Sequence, residues 1–409
     1  MEHALFEERL SRLRNHLSSQ GLDAFVTYVV EGYNWEGLYY LSNFRGTAGA
    51  LVVTLKEALL VLDGRYVSQG RQQSPWPVHL QDSGNLFQTL QEVLENFGVS
   101  RVGFEGNRIS HGEYRKLSDM PFWWEDLGDV LFSLQRTKHP VEVACVRKAA
   151  EIARRGFLRS LEKVSPGMTE RQYAAFLEFF LRMEGAEGIA FDPVVASGPR
   201  SALPHGRPTD RAFSSGEWVV VDFGARFKGY VCDITRVFSL GKPDPWARDM
   251  HELLCKAQKA AFASLEPGVQ ALSVDGAARE VLESYGYGKA FSHGLGHGIG
   301  LYVHENPRIS SRSTELLSPG DLFTLEPGVY LEGRGGLRIE DNIFLGYFCS
   351  LGPHTRGIIP GFFEKTCENF QEKLFSTAFL LSEGRKNSYN GAVKLWNHSI
   401  LIVQGGSKI

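Results

Sequence analysis

The stretch WVVVDFGARFKGYVCDITR, residues 218–236, sets Asp222 and Asp233 on two apolar, β-branched runs that flank a turn near Phe227-Lys228-Gly229. That pattern predicts an antiparallel hairpin. The two aspartates stand at nearly equal distances from the turn. They are therefore expected to face each other across the ladder, with Cβ atoms about 5 Å apart. Carboxylates that close repel unless a positive charge lies between them. A second hairpin has the same design. It runs from Leu322 through Glu326 to a Gly-rich turn at 333–336 and returns through Arg338 to Glu340. Glu326 and Glu340 are about equidistant from Gly333 and are also expected to face each other. One such pair is usually a solvated turn. Two pairs in one chain call for a shared explanation.

The third element is SHGLGHGIGLYVHE, residues 292–305, with His293, His297 and His304 set among glycines. Glycines let a backbone approach a site closely, and a neutral imidazole is a common metal ligand. A lone buried histidine is normally a satisfied core residue, and three so close together weaken that reading. Four carboxylates and one imidazole carry about four negative charges, which a fold cannot bury without cations. Two divalent ions would neutralise them. An oxygen-rich set with one nitrogen suits Mn²⁺ first, with Co²⁺ or Zn²⁺ as alternatives. Two ions about 3.5–4 Å apart activate water and polarise a carbonyl, which is hydrolytic equipment.

In order and spacing, Asp222, Asp233, His297, Glu326 and Glu340 resemble the five metal ligands of the pita-bread metallopeptidases. That family includes aminopeptidase P, prolidase and methionine aminopeptidase, with creatinase as a metal-free relative. The stretches VASGPRSALPHG (195–206) and VDFGA (221–225) look like its bacterial and archaeal Xaa-Pro branch. The resemblance covers roughly residues 1–345. It implies a creatinase-like α/β N-terminal domain and an α+β catalytic domain with a curved, mainly antiparallel sheet. It implies cleavage of the bond before proline, in dipeptides or at peptide N-termini, and does not separate prolidase from aminopeptidase P. Asp222 would chelate one ion, Asp233 and Glu340 would bridge both, and His297 and Glu326 would complete the other. Glu326 would also carry a proton to the leaving nitrogen. By the same resemblance His293 and His304 would hydrogen-bond the substrate carbonyl, and His205 would close over the proline side. Arg338, two residues before Glu340, would orient the carboxylates, and Phe191 is a candidate lining residue of the proline pocket. Tyr40, Phe44 and Arg45 are weaker candidates for roofing a neighbouring chain's site, since the resemblance also implies a homodimer. The alternatives are a creatinase-like C–N hydrolase and a non-catalytic proline-peptide-binding relative. The full set of five ligands argues against the first, and His205 and His304 argue against the second.

The elements that must position these residues follow from patterning. Leu5, Phe6, Leu10, Leu13 and Leu17 recur at helical spacing up to Gly21, and Ala24–Val30, Ala50–Thr54, Ala58–Leu62 and Arg101–Phe104 read as strands. With a helix at Leu86–Phe97, they make an α/β domain over residues 1–135. The polar Arg136–Pro140 segment leads into a helix at Val141–Leu161, and the catalytic domain spans 136–345. Thr169 is a plausible N-cap for the next helix. Further helices are expected at Trp246–Leu265 and near Val274–Tyr285. Residues 346–409 depart from the family pattern. They are read as an added subdomain, a docking segment, a poorly ordered extension or an altered reading frame.

A chain of 409 residues suits two domains, and 43% hydrophobic with 22% charged residues is ordinary for a globular protein. A net charge of −3 speaks against a nucleic-acid or membrane-surface binder. The five cysteines are odd in number and widely spaced, without C-x-x-C, so a disulfide framework is not expected. With no signal-like or membrane-length apolar run, the expected location is cytoplasmic.

Overall fold

The computed structural model describes residues 3–82, 84–346, 393–396 and 400–403. The chain divides into two compact units, Met1–Gln135 and Arg136–Ile409.

In the first unit α1 (His3–Ser19) buries Leu5, Phe6, Leu10, Leu13 and Leu17, the stripe that its 3.6-residue period draws. Strands β1 (Ala24–Val29), β2 (Gly49–Thr54), β3 (Ala58–Leu62), β4 (Val78–Leu80), β5 (Arg101–Phe104) and β6 (Trp123–Asp126) form one sheet in the order β4-β3-β2-β1-β5-β6. It is mixed: β1–β2 and β2–β3 pair antiparallel, while β1–β5, β3–β4 and β5–β6 pair parallel. Helices α2 (Trp35–Ser42), α3 (Val67–Gln73), α4 (Leu86–Asn96), α5 (His111–Ser118) and α6 (Val130–Leu134) complete the unit. Helix α2 went unread in the sequence because three aromatics in Trp35–Tyr40 give it little helical propensity; burial of Leu38, Tyr39, Tyr40 and Leu41 holds it instead. Tyr40 and Phe44 are each only 1% exposed inside this unit. That corrects the expectation that they roof a neighbour's site. Arg45 lies over the Trp35 ring at 4.4 Å.

The second unit opens with α7 (Pro140–Leu161) and α8 (Glu170–Met183). Thr169 caps α8 in a reciprocal box with Gln172. Strands β7 (Gly188–Ile189), β8 (Val194–Ser197), β9 (Trp218–Phe223), β10 (Ala225–Phe227), β11 (Tyr230–Val231) and β12 (Ile234–Leu240) precede α9 (Pro245–Ala263) and α10 (Ala271–Ser284). Then come β13 (Gly296–Gly298), β14 (Glu305–Ile309), β15 (Leu322–Leu325), β16 (Gly328–Leu331), β17 (Gly335–Arg338) and β18 (Asp341–Phe344). These strands pair antiparallel, in separate ladders that Gly224 and Pro327 interrupt. Leu253, Leu254, Val274 and Leu282 of α9 and α10 share one buried core with Phe323, Leu325 and Leu337 of the strands. This packing, not local propensity, holds the short strands in place.

The C-terminal segment read as atypical lies outside the described residues except for Gly346 and two strands. These are β19 (Val393–Trp396) and β20 (Ile400–Val403), the latter pairing parallel with β12. Among the described residues, Cys145, Cys232 and Cys255 are free thiols. No described helix is long and apolar enough to cross a membrane.

Candidate metal centre

Two hairpins and a glycine-flanked histidine build the site. In the first hairpin Asp222 pairs with Thr235, and the same register continues to Phe227 opposite Tyr230. Asp233 therefore falls opposite Gly224, diagonal to Asp222. This corrects the expectation that the two aspartates face each other directly. The cause is the two-residue turn Lys228-Gly229, left-handed at both positions (φ 47° and 82°), which sets the register. A Cβ on Gly224 would overlap the Cys232 carbonyl, so glycine alone lets the Asp233 strand come this close. Asn342 clamps the Asp233 main chain: Asp233 N–H donates to Asn342 Oδ1 at 3.2 Å, and Asn342 Nδ2 donates back to the Asp233 carbonyl.

In the second hairpin Leu325 stands opposite Asp341 and Gly328 opposite Arg338. One register thus runs through both ladders and sets Glu326 opposite Glu340 in the gap between them. Pro327, with no N–H, is at the break. Within the gap the amides turn sideways: Glu326 N–H donates to the Leu295 carbonyl at 2.7 Å, and Glu340 N–H to the Thr235 carbonyl at 3.3 Å. These bonds draw the second hairpin against the first and against the segment entering β13.

His297 lies on β13, between β14 and β15. A Cβ on Gly296 would overlap the Thr324 carbonyl, so the glycine lets β13 and β15 touch. His297 Nδ1 sits 3.0 Å from the Gly298 carbonyl. That contact assigns the proton to Nδ1 and leaves the Nε2 lone pair free. Nε2 is 3.4 Å from Glu326 Oε1 and 3.8 Å from Asp233 Oδ2. Burial, with the His304 charge adding to it, pushes His297 down to about 3. The ring is neutral at neutral pH, the form that ligates metal.

The carboxylates behave in the opposite sense. Burial and then the Glu340 charge raise Asp233 well above the carboxylate range. Burial and then the Glu326 charge do the same to Glu340. Burial pushes Glu326 up to about 8 against the pull of Arg338. Asp222 Oδ1, Asp233 Oδ1 and Glu340 Oε1 are buried with no hydrogen-bond partner. Ligand atoms of Asp233, His297 and Glu340 all lie within 4.8 Å of one another. Orphaned carboxylate oxygens around an unprotonated imidazole nitrogen are costly by themselves and are satisfied by divalent cations. The residues present fit such ions.

A hydrogen-bonded frame surrounds the cluster. Arg338, 3% exposed, donates from Nη2 to Asp222 Oδ2 at 2.6 Å and from Nε to Thr235 Oγ1 at 3.0 Å. Thr235 Oγ1 in turn donates to Glu340 Oε2 at 2.7 Å. Arg338 Nη1 reaches Tyr330 Oη at 2.9 Å, and Tyr330 Oη is 2.9 Å from His293 Nε2. His293 Nδ1 is 2.8 Å from the Gly294 carbonyl. Donors and acceptors match if Tyr330 accepts from Arg338 and donates to a His293 protonated at Nδ1. Both His293 nitrogens are thus engaged within the protein. His293 props Tyr330, and through it Arg338, beside the carboxylate cluster.

His304 is exposed, with its ring 4.4 Å from the His297 ring. Burial of part of the ring and the Arg308 charge lower its pKa. His205 is also exposed, and its charge is felt at both His293 and His304. Phe191 is half-buried in the segment that joins β7 to β8. Sequence reasoning missed Thr235, Tyr330, Asn342 and Arg308. Tyr330 had a signal: in a hairpin centred on Gly333 it lies diagonal to Arg338. Arg308 pairs with His297 across β13–β14, so the two side chains share a face. Arg308 is exposed, with no ion-pair partner among the described residues.

Residues 144–346 match Metallopeptidase family M24, and residues 9–121 match the Creatinase/Prolidase N-terminal domain. A Xaa-Pro dipeptidase of Pyrococcus furiosus is 35% identical over 83% of this chain and 95% of the relative. The X-Pro aminopeptidase structure from Thermotoga maritima superposes with a TM-score of 0.77 at 37% identity, covering 83% of this chain and 95% of that one. A Bacillus anthracis Xaa-Pro dipeptidase gives a TM-score of 0.78 at 33% identity, with the same coverage of 83% and 95%. With its carboxylate–imidazole cluster and the two domains in this order, the chain belongs to metallopeptidase family M24, which implies divalent metal ions at that cluster.

Proposed function

We propose that this enzyme is a Xaa-Pro dipeptidase holding two divalent ions, Mn²⁺ by preference, on Asp222, Asp233, His297, Glu326 and Glu340. The observation that carries the reading is the set of orphaned carboxylate oxygens on Asp222, Asp233 and Glu340 beside the free His297 Nε2. Two ions give each of those oxygens a partner. When bound, they polarise the scissile carbonyl and make water acidic enough to attack at neutral pH. Glu326, the ligand with 15% of its side chain still exposed, takes the proton from that water and delivers it to the proline nitrogen. His304, a neutral N–H donor on the open side of His297, hydrogen-bonds the oxygen that gains charge. In this reading His205 closes over the proline ring and Phe191 lines its pocket, as the family resemblance implies. Proline lacks the N–H that many peptidases use to hold an extended substrate, so a site built around its ring has a distinct role.

Specificity for dipeptides is read from Arg308. A guanidinium beside His304 that has no ion-pair partner among the described residues, on the face of the ligand His297, suits the free carboxylate that follows proline in a dipeptide. Longer peptides carry a neutral amide there. Arg308→Ala should lower kcat/KM for an Xaa-Pro dipeptide by about tenfold to a hundredfold and for an Xaa-Pro-Xaa tripeptide by less than about threefold. Equal losses on the two substrates would exclude the carboxylate role. A wild-type enzyme that prefers the tripeptide would make the chain an aminopeptidase, like the relative from Thermotoga maritima. His304→Ala should slow kcat by about 10²-fold with metal content unchanged, and full turnover would remove His304 from the site. The class itself is tested with metal-stripped protein, which should cleave neither peptide until Mn²⁺ is added.

A further inference from the structure

Glu170 is the first residue of α8 and is completely buried. Its Oε1 accepts from Ser197 N–H at 2.9 Å and from Ser197 Oγ at 2.8 Å. Its Oε2 accepts from Thr209 N–H at 3.0 Å, from Thr209 Oγ1 at 2.8 Å and from the Arg200 guanidinium. Ser197 and Arg200 stand at one end of the segment that carries His205, and Thr209 stands at the other. One carboxylate therefore closes the base of that loop. Arg200 also reaches across it, donating from Nη2 to the Arg207 carbonyl at 2.9 Å. Next to His205, the Pro204 carbonyl accepts from Arg338 Nη1 at 3.0 Å, which ties the loop to the metal-site frame.

The α8 terminus does not need Glu170, because Thr169 and Gln172 already cap it reciprocally. A buried charge is costly unless its lone pairs are filled, and here the loop fills them. Ordering a loop costs about 1–2 kcal/mol of backbone entropy per residue. Meeting that cost during folding leaves less of it to be met when substrate binds.

We infer that Glu170 is a positioning residue that holds the His205 loop in its substrate-binding shape, and so governs substrate capture without touching substrate or metal. The inference rests on His205 acting at the proline side.

The test uses the full-length, metal-loaded enzyme and an Xaa-Pro dipeptide. Glu170→Gln replaces one acceptor oxygen by an N–H₂ that meets donors. It should raise KM by about tenfold with kcat changed less than about threefold and metal content unchanged. Amides of residues 198–209 should lose hydrogen-exchange protection. In a His205→Ala background the same substitution should add less than about twofold. Thr209→Val, which removes one donor and keeps the charge, should act in the same direction and more weakly, and it serves if Glu170→Gln does not fold. An unchanged KM in Glu170→Gln, or in Thr209→Val where that variant stands in, overturns the inference. So does an equal added effect in the His205→Ala background when His205→Ala is itself impaired. A His205→Ala enzyme at full activity overturns the functional reading of His205, and this inference with it.

Discussion

Asp233→Ala should hold less than one ion per chain and cleave no Xaa-Pro dipeptide above background. Asp233 lies among Asp222, Glu326 and Glu340, and the charges of all three bear on it. Its main chain is clamped by Asn342, so the carboxylate cannot be replaced by a small backbone shift. Elemental analysis after gel filtration, beside a dipeptide assay, reads both effects. Two ions still bound would end the bridging assignment. The stability of the metal-free protein carries a second sign. In that state Asp233, Glu326 and Glu340 hold their protons to a higher pH in the fold than in the unfolded chain. Such a group stabilises fully below its unfolded value, and that stability is lost as pH rises through its folded value. For Glu326 the window runs from the ordinary 4.5 to about 8. The slope is about −1.4 kcal/mol per pH unit for one such group. The melting temperature of metal-free enzyme should therefore fall from pH 5 to pH 8, and bound metal should flatten the curve. At pH 8 the fold must keep Asp233 protonated or bear its charge among its neighbours, a cost the unfolded chain does not meet, so metal-free Asp233→Ala should melt no lower than metal-free wild type there. A lower value there would show that Asp233 serves the fold and not only the ions.

Glu326→Gln should cut kcat by about 10²–10⁴-fold while keeping more metal than Asp233→Ala. The amide retains an oxygen at the ligand position and cannot take up a proton. Thr324 Oγ1 donates to Glu326 Oε1 at 3.3 Å, and the other oxygen lies 4.0 Å from Arg338 Nε. The side chain is thus held from two sides, with 15% of its surface still exposed. Burial sets its proton affinity near 8 without metal, and adjacent divalent charge brings that down toward the range of a working base. Steady-state kinetics with metal content measured on the same samples separates the proton role from ligation. A kcat within about threefold of wild type, with both ions bound, would assign the proton transfer to another group. Loss of both ions would make Glu326 chiefly a ligand.

The symmetric spacing of Glu326 and Glu340 about Gly333 was enough to read their pairing, because an antiparallel ladder conserves its register through a short break. The same reasoning misplaced Asp233 by two positions. The turn is two residues long and centred between Lys228 and Gly229, and only backbone dihedrals reveal that. Burial of Tyr40 in α2 and of Phe44 just beyond it was also illegible, since an aromatic at such a position reads alike whether it faces a core or a partner.

From residue types and order alone came the α/β first domain, the carboxylate-rich cluster with one imidazole, and its hydrolytic equipment, whereas the α+β catalytic domain was implied by the family resemblance. The former follow from local periodicity and from charge, which cannot be buried uncompensated wherever the chain happens to fold. Tertiary structure alone decided how the two hairpins meet, through Glu340 N–H on the Thr235 carbonyl and Glu326 N–H on the Leu295 carbonyl. It also decided that Tyr330 occupies His293, that Arg308 shares a face with His297, and that Glu170 closes the His205 loop. Each of these is a contact between common residue types far apart in the chain. No local pattern marks such a pair, because hydrogen-bond geometry selects it only once the strands are packed.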